Sequence, residues 1–430
     1  MAEDRHPTLQ ALGLPDVRYF LTARFFGGTA RTLLATAISW HLWDLTGREI
    51  YLGVLGLVEF LPVIPVTLLG GAVADVRDRR SLVLGARAAA LACAAGLAIG
   101  SGATPHALWL LLGVAFTLAV AGGFENPAGA ALLPALVPRE IFQNAVLLNS
   151  AARNLAVATG PALAGFSIDA GGPRAAYALS AALLALSLAA LLGVRRAKPR
   201  AEEARVSLEA IREGIAFVWQ RPVILGAMTL DMFAVIFASV TALLPVYATQ
   251  ILAVGPRGFG LLAASLAVGT LLMTLVLLFV PSLARPGRAL LIAVLFFGLA
   301  TIVFGLSRSF PLSVAALVAA GMADQVSMVT RATIIQLSTP DALRGRVSAV
   351  NMIFIRASNQ LGEAESGFLA ALTSATFSVV AGGVACLGVL GIVTARVPAL
   401  RDYRVRGDVG ERSPSSQKRE KRGREKRGRW

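Results

Sequence analysis

Gly-Ala-Val-Ala-Asp-Val-Arg-Asp-Arg-Arg, at residues 71–80, is a short charged stretch between two long apolar runs. The runs cover 50–74 and 80–100, and about 20 apolar residues suffice for a helix to cross a ~30 Å hydrocarbon core. The whole chain is 56% hydrophobic and 15% charged, whereas soluble domains carry roughly 25% charged residues. The runs are continuous rather than alternating, so they predict membrane helices and not barrel strands.

Twelve apolar runs predict an all-α membrane protein with twelve transmembrane helices in two six-helix bundles. We place the spans at 17–43, 50–74, 80–100, 106–133, 140–168, 173–193, 223–250, 257–281, 286–306, 311–335, 344–372 and 374–397. The predicted domains are an N-terminal segment (1–16), a first bundle (17–193), a linker (194–222), a second bundle (223–397) and a basic tail (398–430). We expect a surface helix in the linker, near Val206–Trp219, and disorder in the tail.

The arginines of the loops predict the orientation of the helices. With the N-terminus inside, the inner loops hold most of the basic residues, as at 77–80, 195–221 and 344–346, while the outer loops hold only scattered ones. This asymmetry predicts cytoplasmic termini and a location in the cell inner membrane. It also accounts for the net charge of +15 without nucleic acid, which we do not expect as a partner.

The two predicted bundles resemble each other in sequence. Residues 138–149 read P-R-E-I-F-Q-N-A-V-L-L-N, and residues 340–351, which lie 202 positions later, read P-D-A-L-R-G-R-V-S-A-V-N. At the same offset, a Gly-x4-Gly-Phe pattern at 160–166 recurs at 362–368. A parallel repeat of six plus six helices is the architecture of the major facilitator transporters.

Residues 71–80 resemble the signature loop of the major facilitator superfamily, although Asp78 stands where glycine is usual. Residues 126–140 and 343–351 are similar to the branch that contains the enterobactin exporter and the macrolide efflux pumps, and residues 354–367 resemble a subgroup of that branch. The resemblance implies a monomeric antiporter that exports a small amphipathic molecule, such as a drug or siderophore, by alternating access. The proton gradient would supply the energy, and no cofactor is implied.

The same resemblance implies two functional motifs. A cytoplasmic gate loop would contain Gly71, Asp75, Arg79 and Arg80. A helix-packing motif, similar to part of the glycine-proline motif of drug antiporters, would contain Gly160, Pro161 and Gly165. Packing without a role in transport is the alternative for the second motif.

Ionisable side chains inside the predicted spans are candidates for proton coupling or for a substrate cavity, because charge is costly at membrane depth. The ionisable side chains within spans also include Arg31, Arg87, Arg153 and Arg356. As site residues we select Arg24, Glu59, Glu125, Asp231, Asp324, Arg331, Glu363 and Glu365. Asp324 and Arg331 are seven residues apart on one helix face, so a static ion pair is the alternative for them. Glu363 and Glu365 point about 200° apart, so only one can face a cavity.

Glu125 fits proton coupling best. It lies mid-span between Gly122-Gly123 and Asn126-Pro127, where we expect the proline to break the helix. Such broken helices form the binding sites of many transporters. We therefore expect Glu125→Gln to abolish proton-driven accumulation of cargo. We expect Arg87 and Arg153, by contrast, to snorkel toward the inner surface.

Other classes of function fit less well. An uptake permease for a small nutrient is the first alternative, because the fold permits either direction. A non-transporting membrane protein or an enzyme has little support, because the histidines are scattered and lack zinc-site spacing. An ATP-driven pump is excluded within this chain, because no lysine lies in a phosphate-binding loop.

Overall fold

The computed structural model describes residues 7–100, 106–194, 208–280 and 285–403, and these ranges contain helices and no strand. The α-helices are α1 (Pro7–Gly13), α2 (Pro15–Thr46), α3 (Glu49–Phe60), α4 (Val63–Val76), α5 (Arg79–Gly100), α6 (Ala107–Leu136), α7 (Phe142–Leu192), α8 (Leu208–Trp219), α9 (Pro222–Phe237), α10 (Leu244–Val246), α11 (Gly255–Phe279), α12 (Pro286–Leu306), α13 (Phe310–Ser338), α14 (Arg344–Leu372), α15 (Ala375–Arg396) and α16 (Pro398–Arg401). Every predicted span overlaps one or two of these α-helices.

Nine helical segments of the described ranges are long and apolar enough to cross a membrane. Among them, α7 has 51 residues and leaves helical geometry at Gly171 and Gly172, the second with a φ of 67° that favours glycine. It therefore corresponds to two predicted spans. The helices α2 and α14 have 32 and 29 residues but carry several charges. The all-α membrane fold is thus confirmed, while the count of twelve spans stays a prediction.

Two predicted spans are interrupted where the sequence predicted continuity. In the span 223–250, α9 ends at Phe237, and a 3-10 turn at Thr241–Leu243, α10 and a π-helix at Tyr247–Ile251 follow. The second span consists of α3 and α4, which are interrupted at Leu61 and Pro62. The predicted break at Pro127, in contrast, is wrong, because α6 runs unbroken through Pro127 and Pro134. The Asn126 amide donates a hydrogen bond of 2.6 Å to the Gly122 carbonyl in this region. In the first half, the interruption at Leu61 and Pro62 therefore lies beside Glu59 rather than beside Glu125.

The two halves of the molecule meet at the end where α2 finishes at Thr46, which we call the closed end. Trp43 Nε1 donates a hydrogen bond of 2.9 Å to Thr249 Oγ1, and the Trp40 and Phe259 rings lie 5.1 Å apart. An ion pair of 2.6 Å joins the Arg257 guanidinium to the Asp169 carboxylate. At the opposite end, the polar contacts whose two partners are both described stay within one half, as those of Arg79 and Arg80 with α6 and α7 do. We call that end the open end.

The predicted domain boundaries differ from the structure at both ends of the helical body. Helix α1 precedes the first span, and Ala11 in it is fully buried. Helix α16 follows the last span, where Leu400 is fully buried and Tyr403 Oη lies 3.0 Å from Ser338 Oγ. The first residues of the predicted tail thus pack on the second half. Part of the linker (195–207) and most of the tail (404–430) lie outside the described residues.

Candidate transport cavity and its charged residues

A central cavity of about 340 Å³ lies between the halves. Its polar lining comes from α2, α3, α6 and α14, and consists of Arg31, Glu59, Asn126, Arg356, Asn359 and Gln360. Apolar side chains of α2, α4 and α6 complete the walls, among them Ile38, Val63 and Leu118. Charged groups of both halves therefore face one space.

Glu59 belongs to the central cavity and also to a second, smaller one. The Gln360 Nε2 amide donates a hydrogen bond of 2.8 Å to Glu59 Oε2 and so links α14 to α3. The second cavity, of about 120 Å³, lies toward the closed end and has Glu59 and Glu363 in its lining. These two carboxyl groups come from opposite halves and interact electrostatically. Glu365 lies in the same helix but lines none of the cavities described here.

Glu125 lies in an ion pair. Arg87 Nε donates a hydrogen bond of 3.1 Å to Glu125 Oε1, and Arg87 is only 4% exposed. Arg87 Nη1 also donates to the Ala23 carbonyl at 2.8 Å and to the Ser187 hydroxyl. The guanidinium thus joins α2, α5, α6 and α7. The prediction that Arg87 snorkels is wrong, because three acceptors hold it inside the bundle.

Arg24 lies close to the same ion pair. Its charge interacts with those of Glu125, Arg87 and Arg31, and its buried Nε atom has no hydrogen-bond partner among the described residues. Glycine makes room for it, since a Cβ atom at Gly129 would lie 3.3 Å from the guanidinium. More positive than negative charge therefore gathers in this part of the first half.

In the second half, Arg331 of α13 forms an ion pair with Asp231 of α9, and both side chains are buried. The Ser327 hydroxyl also donates to Asp231 Oδ1, at 3.4 Å. The alternative of an Asp324–Arg331 pair is therefore wrong, because the carboxylate of the neighbouring helix takes the arginine. Asp324 instead lines a cavity of about 160 Å³ within the second half and has no hydrogen bond or ion pair with another described residue.

The predicted gate loop joins α4 to α5. Arg79 Nη1 donates to the Ala131 carbonyl at 3.1 Å, and Arg80 donates to the Leu191 and Leu192 carbonyls at the end of α7. Asp78, in the position where glycine is usual, accepts hydrogen bonds from the Ser81 amide and hydroxyl, as a residue that caps a helix does. Gly71 and Asp75 belong to the last turns of α4, where the structure describes only the backbone.

The glycines of the predicted packing motif lie at two close helix contacts. A Cβ atom at Gly160 would lie 2.7 Å from the Thr29 carbonyl oxygen of α2, so this glycine lets α7 approach the first helix of its own half. A Cβ atom at Gly165 would lie 2.7 Å from Gly260 Cα of α11, which belongs to the other half. The neighbouring Pro161 is buried, and its carbonyl oxygen lies close to Gly260.

The repeat glycines of α14 make the equivalent contacts. A Cβ atom at Gly362 would lie 2.8 Å from the Val235 carbonyl oxygen of α9, within the second half. Gly367 packs directly on Gly53 of α3, in the first half. The sequence repeat thus corresponds to a repeat of structure, in which one glycine of each copy packs within its half and the other packs across the closed end.

Comparison with known proteins identifies this arrangement. The family described as transmembrane secretion effector, a branch of the major facilitator superfamily, matches residues 12–412. The chain belongs to this family. As a member of a transporter family, the protein is a multi-pass membrane transporter for small molecules.

The chain is also similar in sequence to exporters and in fold to solved transporter structures. The enterobactin exporter EntS of Escherichia coli K12 is 25% identical over 395 residues, covering 91% of this chain and 94% of EntS. EntS of Shigella boydii serotype 18 is 25% identical over 383 residues, covering 88% and 91%. The fold matches a bacterial homologue of the human lysosomal transporter Spinster, solved in an inward-facing and unoccupied conformation (TM-score 0.69, 15% identity, 91% and 99% covered). It also matches a POT family transporter in complex with 5-aminolevulinic acid (TM-score 0.70, 14% identity, 90% and 97% covered).

Several polar residues of the central cavity could not be singled out from the sequence. Asn359 and Gln360 were not among the candidates, and Arg356 was noted only as one of the ionisable side chains within the spans. With Glu363 they follow a spacing of three and four residues, which places them on one face of α14. A polar stripe with this period in a membrane span could have revealed the face that α14 turns toward the other half.

Proposed function

We propose that this protein exports a small amphipathic molecule by alternating access and uses the proton gradient as its energy source. The observation that carries the proposal is the central cavity, which both halves line and which the halves close at one end only. The loop arginines predict that the closed end is periplasmic, so the cavity would face the cytoplasm in this conformation. The similarity to enterobactin exporters supports export rather than uptake.

We further propose that Glu59 and Glu363 carry the coupling proton. Two carboxylates in one largely apolar site repel each other when both are ionised, so sharing one proton stabilises the contact between the halves. Glu59 also lines the central cavity, from which water can reach the pair. Glu125 already has Arg87 as its partner, which favours a role in ordering the first half.

Transport in everted membrane vesicles, with a pH-sensitive dye, tests both proposals. The cargo panel contains amphipathic dyes of positive, neutral and negative charge. We expect Glu59→Gln and Glu363→Gln to stop proton flux coupled to cargo while exchange of cargo continues. Glu365→Gln is the matched control, because Glu365 lies on the same helix and lines none of the described cavities.

Two results would change these assignments. If Glu125→Gln stops proton flux and Glu59→Gln does not, the coupling site lies on α6, as the sequence predicted. Cargo that accumulates only in right-side-out vesicles would show an uptake permease instead of an exporter.

A further inference from the structure

We infer that the central cavity binds an anionic amphipathic cargo, with its acidic group between Arg31 of the first half and Arg356 of the second. The inference rests on the proposed function in one respect, namely that the central cavity is the cargo site. The cargo class is a molecule with a carboxylate, sulfonate, phosphate or acidic phenolate group attached to an apolar body.

The two arginines have no direct polar partner within the described ranges, although the charge of Arg31 interacts with those of Glu59 and Glu125. Neither Arg31 nor Arg356 forms a hydrogen bond or an ion pair with any residue in the described ranges, and their charges repel each other across the cavity. Two unpaired guanidinium groups beside apolar walls are costly at membrane depth. An anion between them removes this repulsion, and the guanidinium fork matches planar acidic groups with two parallel hydrogen bonds.

Positive charge exceeds negative charge around the cavity. Five arginines of this region interact with one another or with its carboxyl groups, namely Arg24, Arg31, Arg87, Arg153 and Arg356. The carboxyl groups are Glu125 and the Glu59–Glu363 pair, of which the pair shares one proton in the proposal above. Five positive charges are therefore set against two negative ones, so the region repels a cationic cargo.

Basic side chains also lie between the open end and the central cavity. Arg24 and Arg31 are seven residues apart, so they lie on one face of α2, about two turns from each other. Arg24 lies nearer the open end, interacts with Arg153 of α7, and has a buried Nε atom without a hydrogen-bond partner among the described residues. A basic path thus leads from the open end to the cavity, and such a path concentrates anions.

The walls and the size of the cavity define the rest of the molecule. Ile38, Leu118 and Val63 offer apolar contact, while Asn126 and Asn359 offer amides for hydroxyl or carbonyl groups. The volume of about 340 Å³ is at the lower end of the range for small-molecule pockets, which is roughly 300–1,000 Å³. The cavity therefore suits a compact aromatic or aliphatic acid in this conformation.

The test measures binding to the purified protein in phosphatidylcholine nanodiscs, by calorimetry and by thermal stabilisation. The probes share a ring system and differ in charge: 1-naphthalenesulfonate, 1-naphthylmethylammonium and 1-naphthalenemethanol. We expect the sulfonate to bind at least about tenfold more tightly than the ammonium. Arg31→Gln and Arg356→Gln should each weaken the sulfonate about tenfold or more, as expected for the loss of one charge-assisted contact.

Controls separate a binding role from a structural one. Arg212→Gln changes an exposed arginine of α8 and should leave sulfonate binding unchanged. Arg356→Lys keeps the charge without the fork, so it should bind the sulfonate better than Arg356→Gln does. If a glutamine variant is not monodisperse, the comparison of sulfonate and ammonium on the wild type, together with Arg356→Lys, decides the question.

Two outcomes would overturn the inference. One is ammonium binding that equals or exceeds sulfonate binding, and the other is unchanged sulfonate affinity in well-folded Arg31→Gln and Arg356→Gln. The vesicle assay keeps the proposed function separate. If only cationic dyes are transported, the protein is a transporter but the inference of an anionic cargo is wrong. If the sulfonate binds and no dye is transported, the anion site is supported and the proposed export function is contradicted.

Discussion

Gly165→Ala should open the closed end of the molecule. A Cβ atom at this position would lie 2.6 Å from the Pro256 carbonyl oxygen and 2.7 Å from Gly260 Cα, both on the opposite half. Carbon atoms in good contact lie about 3.5–4.0 Å apart, so α7 and α11 must separate by roughly 1 Å. Backbone atoms cannot turn aside as a flexible side chain can, and the strain therefore acts on the interface between the halves.

The size of the effect follows from the cost of such crowding. Inserting one methyl group into a tightly packed site costs about 1–3 kcal/mol. If the interface forms only in the conformation closed at this end, the whole cost falls on that conformation. The ratio of closed to open molecules should then fall by about 5- to 150-fold.

Double electron–electron resonance measures this ratio directly. Spin labels at Asp44 and Gln250 report across the closed end, because both residues are exposed and belong to opposite halves. Cys93 and Cys386, the two cysteines of the chain, are first replaced by alanine. We expect Gly165→Ala to move the distance distribution toward longer values, in the absence of any cargo.

Gly96→Ala is the matched control. It makes the same substitution within a membrane helix, but a Cβ atom at Gly96 would meet nothing within 4 Å. The gain in helix propensity, about 1 kcal/mol, is common to both variants and cancels in the comparison. If Gly165→Ala gives the same distance distribution as the wild type and Gly96→Ala, then a methyl group at this position does not strain the interface between the halves. Gly260→Ala should act in the same way as Gly165→Ala, and the double variant should show less than the sum of the two effects, because both methyl groups strain one contact.

Three further predictions concern the ion pair, the gate loop and the orientation. Arg87→Met should lower the free energy of unfolding by about 3–5 kcal/mol, since it leaves Glu125 buried without its partner; thermal unfolding should show a smaller loss when Glu125→Gln is added, and purely additive losses would contradict the pairing. Asp75→Asn should insert normally and slow transport in vesicles, and an unchanged rate would remove the gating role of the loop. A reporter fused after Arg344 should be cytoplasmic, whereas a periplasmic reporter there would exclude two six-helix halves with both termini inside.

Side-chain contacts favour Glu59 over Glu125 as the carrier of the coupling proton. In the sequence, Glu125 is the most conspicuous carboxylate, because glycines and a proline surround it. In the structure, Arg87 donates to it at 3.1 Å and also holds the backbone of α2. Glu59 is less conspicuous in the sequence, but it lies near the end of α3, next to the interruption at Leu61 and Pro62, and lines two cavities.

The sequence by itself determined the fold class, the helix positions and the family. These properties follow from the length of apolar runs, from a charged loop at 71–80 and from a repeat with an offset of 202 residues. Each of them is local or periodic, because the bilayer imposes one length and one hydrogen-bond pattern on every span.

Only the tertiary structure decided which charged groups meet. Seven-residue spacing suggested Asp324 as the partner of Arg331, yet Asp231 of another helix takes that position. Arg31 and Arg356 are 325 positions apart and face one cavity, because the two halves pack through glycines at a single end. Spacing along a helix fixes the direction of a side chain, but the identity of its partner depends on how neighbouring helices are packed, and that packing is set by contacts distant in sequence.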